Sequence, residues 1–185
     1  MVGGQVISLR RIAAETGRSV GAIYQYFPDQ RALLAAIRQA DMDAATDAME
    51  AAAARATDAR SRLRDVFLTA AHYWLAHPDH FDCLFMSRPG QEVLRCADGR
   101  PFGESASVQR SQSLYRRVVE EFLASLAQRP MPTEQAMYVL IATTHGVMAF
   151  PRCTRSMGWP PVLPMVECAL DALLTTWQGA GSSPR

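Results

Sequence analysis

The chain has 185 residues, 49% of them hydrophobic, with a net charge of +1. That is enough apolar material for one compact body or two small domains, and it excludes global disorder. Composition also argues against a bilayer span and a secretory leader, because no apolar run reaches the roughly 18 residues a span needs and MVGGQV at the start has no basic region. A cytoplasmic protein is the default expectation, with no membrane partner. All nineteen basic residues are Arg, which reads as codon bias in a GC-rich genome. Residues 1–38 hold Arg10, Arg11, Arg18, Arg31 and Arg38 against Glu15 and Asp29, a net of +3 that leaves −2 for the remainder. A basic end on a slightly acidic body suits docking to a polyanion.

Along the chain, helical periodicity dominates and no convincing strand is found, so the fold class is all-α. Residues 8–38, SLRRIAAETGRSVGAIYQYFPDQRALLAAIR, predict two short helices and the start of a third. Ser8 caps the first, with Ile12 and Ala13 facing inward. Gly17 ends it, since glycine enters the left-handed C-cap conformation without strain. Ser19 caps the second, whose apolar side is Val20 and Ile23, finished by Tyr24, Tyr26 and Phe27. A small residue four positions before a turn glycine allows the close crossing of a helix-turn-helix, which presents the outer side of its second helix to a DNA major groove.

A long helix is expected from about Asp29 to Ala54. Leu33, Leu34 and Ile37 mark its apolar side, followed by an Ala-rich stretch that is stiff with little packing. Asp41, Asp43, Asp47 and Glu50 fall on its wetter sides. Further helices are expected near 60–77, with Leu63, Val66, Phe67, Ala70, Ala71 and Trp74 at helical spacing, and over Asp79–Ser87 after Pro78. Pro89, Gly90, Gly99, Pro101 and Gly103 make 88–105 a loop. The next helix spans 106–128, with Leu114, Tyr115, Val118, Val119, Phe122, Leu123 and Leu126 inward. Pro130 and Pro132 break it, Thr133 is the cap of a helix over 134–150, and Pro151, Gly158, Pro160 and Pro161 form a second loop. A last helix covers 162–178, with Met165, Val166, Ala169, Leu170, Leu173, Leu174 and Trp177. Gly179 closes it, and 179–185 read as a disordered tail.

The N-terminal residues carry a resemblance. Ile12-Ala13, Thr16-Gly17-Arg18-Ser19, Gly21-Ala22-Ile23-Tyr24, Tyr26-Phe27 and Leu33 follow, without gaps, the head signature of the tetracycline-repressor (TetR) family of regulators. HPDHFDCLF (77–85) and THGVMAF (144–150) are similar to two segments of that family's WHG-type C-terminal domain, so the likeness runs from about residue 6 to 178. Two departures stand in the head. Arg18 replaces a small apolar turn residue, and Gln30 replaces a phosphate-contacting Lys. Arg31 is the nearest substitute, but its side chain leaves the helix about 100° further round. The family's head also begins with a helix of fifteen or more residues, whereas seven residues precede Ser8. The expectation is therefore an N-terminally truncated version or a late start codon, with a natively headless variant as the alternative, and weak or no DNA binding by this chain with a body that still folds.

The resemblance implies a DNA-binding head over 1–40, a ligand-binding and dimerisation domain over 41–178, and a homodimer on a double-stranded operator whose release follows a small apolar effector. Gly21, Ala22, Tyr24, Gln25 and Tyr26 match family positions that meet DNA. Gly21 and Ala22 allow close approach, and Gln25 can pair with adenine or accept from another base edge. Tyr24 and Tyr26 reach phosphates or pack on the next helix. Ser8 and Ser19 meet DNA or only cap helices, and Arg10, Arg11 and Arg31 grip phosphate or stay solvated. The implied effector pocket draws on Trp74, Phe81, Phe85, Met86, Tyr115, Phe122, Tyr138, Thr144, His145 and Met148, many of which serve equally as plain core. The implied dimer face uses the last two helices, through Leu140, Val147, Leu170, Leu173 and Trp177. A module that binds ligand and dimerises without DNA is the alternative.

Other chemistries find little support. His77, His80 and Cys83 stand three apart, which suits zinc, but no fourth ligand is evident and the triple falls in an apolar segment. Cys83, Cys96, Cys153 and Cys168 form no C-x-x-C pair, so free thiols are expected, and neither Cys96 nor Cys153 has a resolving partner nearby. No Gly-rich phosphate loop, nucleophile elbow or paired-carboxylate motif is present, so neither an enzyme nor a cofactor is expected.

Overall fold

The structure is a computed structural model that describes residues 9–86, 95, 96 and 98–179, with side chains from Arg11 onward. Ser8, the Arg10 side chain, Ser87, Pro89, Gly90 and the tail from 180 onward lie outside the described residues. Among those described, the chain is all-helical, and its one extended feature is an isolated bridge between Arg95 and Pro101. The helices are α1 (Leu9–Thr16), α2 (Val20–Tyr26), α3 (Gln30–Arg55), α4 (Ala59–Ala76), α5 (Pro78–Phe85), α6 (Ala106–Ala124), α7 (Thr133–Cys153) and α8 (Val162–Gly179). A 3-10 turn, Phe102–Glu104, precedes α6.

The boundaries follow from side chains that take up orphan backbone groups. Gly17 sits at φ +66°, and two bonds close the end of α1, Arg18 N–H to Ala13 O at 3.0 Å and Gly17 N–H to Ala14 O at 3.4 Å. This is the Schellman pattern, which needs a residue in the left-handed region. Arg18 is tolerated in the turn because its backbone N–H makes one of those bonds while its side chain stays exposed. Ser19 Oγ accepts from Ala22 N–H at 3.1 Å, and Asp29 Oδ1 accepts from Ala32 N–H at 2.7 Å. Asp58 and Ser105 cap α4 and α6 in the same way.

Three boundaries differ from the sequence expectation. Helix α6 stops at Ala124 rather than 128, because Ser125 turns both its backbone N–H and its hydroxyl onto Phe122 O, at 3.0 and 2.7 Å. Helix α7 is not capped by Thr133. Pro132 holds the cap position with no side-chain bond, and the Thr133 hydroxyl donates to Glu120 instead. Helix α7 also runs through Pro151 to Cys153. A proline so near a helix end removes one intrahelical bond only, and the turn is held from outside. Arg152 Nε and Nη2 each donate to the Asp82 carboxylate at 2.7 Å, and Nη2 donates to Pro78 O at 3.1 Å.

Two apolar clusters result. The smaller joins Ala13 of α1, Ile23 of α2 and Leu33 of α3, with Ile12, Val20, Phe27 and Ile37 against them. The larger is the body. Helix α4 is its centre, packed against α3, α5, α6, α7 and α8, and Leu63, Val66, Phe67, Ala70, Ala71 and Trp74 are buried along it. Helix α3 belongs to both clusters, through Leu33 and Ile37 at one end and Met42, Ala45, Met49 and Ala53 further on. Its 26 residues span about 39 Å. The Ala-rich stretch therefore packs closely, contrary to the expectation of a lightly packed connector. Alanine carries little hydrophobic signal in the sequence, yet Ala45, Ala52 and Ala53 are at most 5% exposed.

Forked arginine pairs fasten the outside of the body. Arg64 holds Asp171 through two bonds at 2.8 and 3.1 Å, tying α4 to α8, and Arg110 holds Glu50 and Asp47, tying α6 to α3. A planar guanidinium grips a carboxylate this way and an ammonium does not. No helix among the described residues is long and apolar enough to cross a membrane.

Candidate DNA-reading head and effector cavity

Helix α2 turns Ile23 inward and leaves Gly21, Tyr24, Gln25 and Tyr26 exposed, with Ala22 half-buried. Tyr26 is 72% exposed and Tyr24 52%, so neither ring is packed away beneath α3. A Cβ at Gly21 would meet only Ser19 Oγ, at 4.0 Å. The outer side of α2 is thus small at Gly21 and polar around it, a shape that lets a helix backbone approach a groove. Ser19 spends its hydroxyl on the cap. Arg31 is exposed in the first turn of α3, and Arg11 is exposed and paired with Glu15 at 2.8 Å.

In the body, a cavity of about 140 Å³ opens between α3, α4, α5, α6 and α7. Of the expected pocket residues, Trp74, Phe85, Tyr115, Tyr138 and His145 line it. Phe122, Thr144 and Met148 do not. Phe122 is fully buried in the core, Met148 is 2% exposed, and the Thr144 hydroxyl donates to Leu140 O at 2.9 Å. Met86 packs against the core at the end of α5. Phe81 lies behind the wall, its ring centroid 5.0 Å from Phe85 and 5.8 Å from His145. The sequence reading missed Met42, Ala45 and Met49 of α3, Val108, Ser111 and Gln112 of α6, and Ile141 of α7. Spacing carried a signal for some of these, since Met42, Ala45 and Met49 fall at i, i+3 and i+7, and Ser111 and Tyr115 at i and i+4. A second lobe of about 280 Å³ adjoins, sharing Met42, Phe85 and Val108 and bounded by Pro101 and Phe102.

Burial sets the electrostatics. His145 stands among aromatic rings, with Phe85 4.7 Å away, and burial pushes its pKa down to about 4, so it is neutral at pH 7. Burial also holds the Tyr115 hydroxyl protonated far above neutral pH.

The expected dimer residues divide. Leu140 and Leu170 are fully buried in this chain's own core and Trp177 nearly so, which corrects their assignment to an outer face. Their period on α7 and α8 is that of the inward stripe. Val147 and Leu173 are half-buried, and Pro164, Cys168, Ala172 and Phe150 are exposed beside them. Helix α8 carries only two charges, Glu167 and Asp171, and Asp171 is turned to Arg64. His77 Nδ1 is 2.8 Å from Tyr73 O, and His80 Nδ1 is 2.9 Å from Asp41. All four cysteines are free.

Residues 3–37 match the family model of bacterial regulatory proteins, tetR family. No curated protein matches the chain. Among solved structures, it is similar to a protein of unknown function from a Rhodococcus species, at 26% identity over 93% of this chain and 85% of that one, with a TM-score of 0.72. It is also similar to the TetR family transcriptional regulator PfmR from Thermus thermophilus, at 18% identity over 91% and 88%, with a TM-score of 0.69. These likenesses extend from the head to the fold of about nine-tenths of the chain.

Proposed function

We propose that this chain, whose residues 3–37 match the model of bacterial regulatory proteins, tetR family, is a ligand-responsive, sequence-specific transcriptional repressor of that family. DNA-binding regulation of transcription comes with the family. Release by a small apolar effector is our reading, and one observation supports it above others. Met42, Ala45 and Met49 of α3 line the cavity, and Leu33 and Ile37 of the same helix pack the head. Met42 stands nine residues beyond Leu33, about 14 Å along the axis. A ligand that prefers one position of α3 therefore biases the position of the head, with no further relay.

Two heads on a twofold dimer read two half-sites one helical turn apart. The outer sides of α7 and α8 around Val147, Leu173, Cys168 and Ala172 form the dimer face in this reading. In the head, Gln25 reads a base edge, Tyr24, Tyr26 and Arg31 hold phosphates, and Gly21 with Ala22 allows the approach. Effector action follows if the ligand prefers a head spacing that no longer fits two successive grooves, since only differential affinity shifts an equilibrium.

The test is a DNA titration with and without a cavity ligand, on the native chain and on Ala45→Phe. That substitution fills the cavity from α3 without touching the head. The native complex is expected to dissociate on adding ligand and the variant to ignore it. A variant that responds like the native chain would place the effector site elsewhere.

A further inference from the structure

We propose that the cavity takes an uncharged ligand with a flat apolar body and one neutral hydrogen-bonding group, of the phenol class, seated on Ser111, Tyr115 and His145. The inference rests on reading this cavity as the effector site.

The walls supply the first half of the argument. Met42 and Met49 of α3, Trp74 of α4, Phe85 of α5 and Ile141 of α7 are apolar. Phe85 stands nearly edge-on to Trp74, ring centroids 5.2 Å apart and planes at 83°, and lies 4.7 Å from the His145 ring. Aromatic walls set at such angles favour a planar guest, offset-stacked on one and edge-on to another. The two methionines adapt to its outline.

The polar groups supply the second half. Ser111 and Tyr115 lie one turn apart on α6, 6% and 7% exposed, and His145 faces the same space from α7. Among the described residues, these three side chains make no hydrogen bond to another protein group, and their polar atoms are reached from the cavity rather than sealed off. Tyr115 is 7% exposed, so its ring is fixed in the wall while its hydroxyl stays open to the cavity. Polar groups that open into a cavity and make no bond to the protein mark the place of a guest's polar end. A hydroxyl suits it best, because a hydroxyl and a neutral imidazole each both donate and accept.

Charge is excluded by the lining itself. No Asp, Glu or Arg is among the residues that line the cavity. His145 is held neutral by its burial. A carboxylate or ammonium entering here leaves water without a counter-ion, which is costly.

The experiment uses the full chain and four probes of one shape: 4-ethylphenol, ethylbenzene, 4-ethylbenzoate and 4-ethylbenzylamine. Binding is followed by calorimetry and by the fluorescence of the tryptophans, one of which, Trp74, lines the cavity. The phenol is expected to bind about tenfold more tightly than the hydrocarbon. The two ions are expected to bind about a hundredfold more weakly than the phenol. Tyr115→Phe should erase the phenol's advantage and leave ethylbenzene unchanged. Ser111→Ala should reduce the advantage and stands in if the tyrosine variant does not fold. Either ion matching the phenol would overturn the proposal, as would a phenol preference untouched by both substitutions, or no binding by any neutral probe. DNA release is recorded in parallel. Phenol selectivity without DNA release would support the ligand class and remove the effector role.

Discussion

Replacing Gly17 by Ala isolates one backbone angle. Gly17 sits at φ +66° at the end of α1, and an added Cβ meets no atom within 4 Å. No clash and no lost contact accompany the change, so its effect comes from holding an L-residue in the left-handed region. That costs about 1–2 kcal/mol. The head's cluster is small, so this is a large share of what holds α1 against α2. Opening of the head should become about five to thirty times more frequent. Amide hydrogen exchange reads this directly. Amides of α2 from Ile23 to Phe27 should exchange faster by that factor, while the inner amides of α4, α6 and α7 keep their rates. Gly17→Asn should lie between the two, since asparagine visits this region more readily. An alanine variant that exchanges like the native chain would refute the reasoning, and so would equal acceleration in head and body.

Other expectations follow the same logic. His145, half-buried among aromatic rings and neutral, has a folded pKa near 4 against about 6.5 unfolded, so the unfolded chain binds the extra proton between those values. Stability should therefore fall as pH drops from about 6.5 to about 4, by roughly 3 kcal/mol from this group. His145→Leu should flatten that part of a denaturation-against-pH curve, and an unchanged slope would contradict the assignment. Phe122→Ala, in the core and not in the cavity, should cost about 3–5 kcal/mol without changing the order of probe affinities. A changed order would return Phe122 to the site. Leu173→Glu should yield folded monomers by light scattering, and an unchanged dimer would move the face off α8.

Most of the helical layout was legible before any coordinates, because its punctuation is local. Gly17, Ser19, Asp29, Pro78 and the Pro/Gly loops act on the backbone beside them, and the helices begin or end there. Where tertiary contacts override local rules, the reading slipped. Helix α7 passes Pro151 because Asp82, seventy residues before Arg152, anchors that arginine. The cavity was half legible. Aromatic residues and His145 announce themselves, whereas Met42, Ala45 and Met49 sit in a stretch whose composition looks like a stiff rod. Period alone does not separate the inner stripe of α7 and α8 from an outer one, and Leu140 and Leu170, fully buried in this chain's own core, fit either side by spacing. Packing of the neighbouring helices decides that, and no single segment encodes it.

The central claim is that the exposed side of α2 reads a twofold DNA sequence. The most direct measurement is enrichment of a random duplex pool on the full chain at low salt, where phosphate contacts are strongest and retain even the weak complex expected of this chain, with Gln25→Ala in parallel. The expected result is enrichment of a two-fold related pair of half-sites, and relaxed preference at one position of each half-site with the variant. A pool that stays random, or a motif the variant retains in full, would contradict the claim.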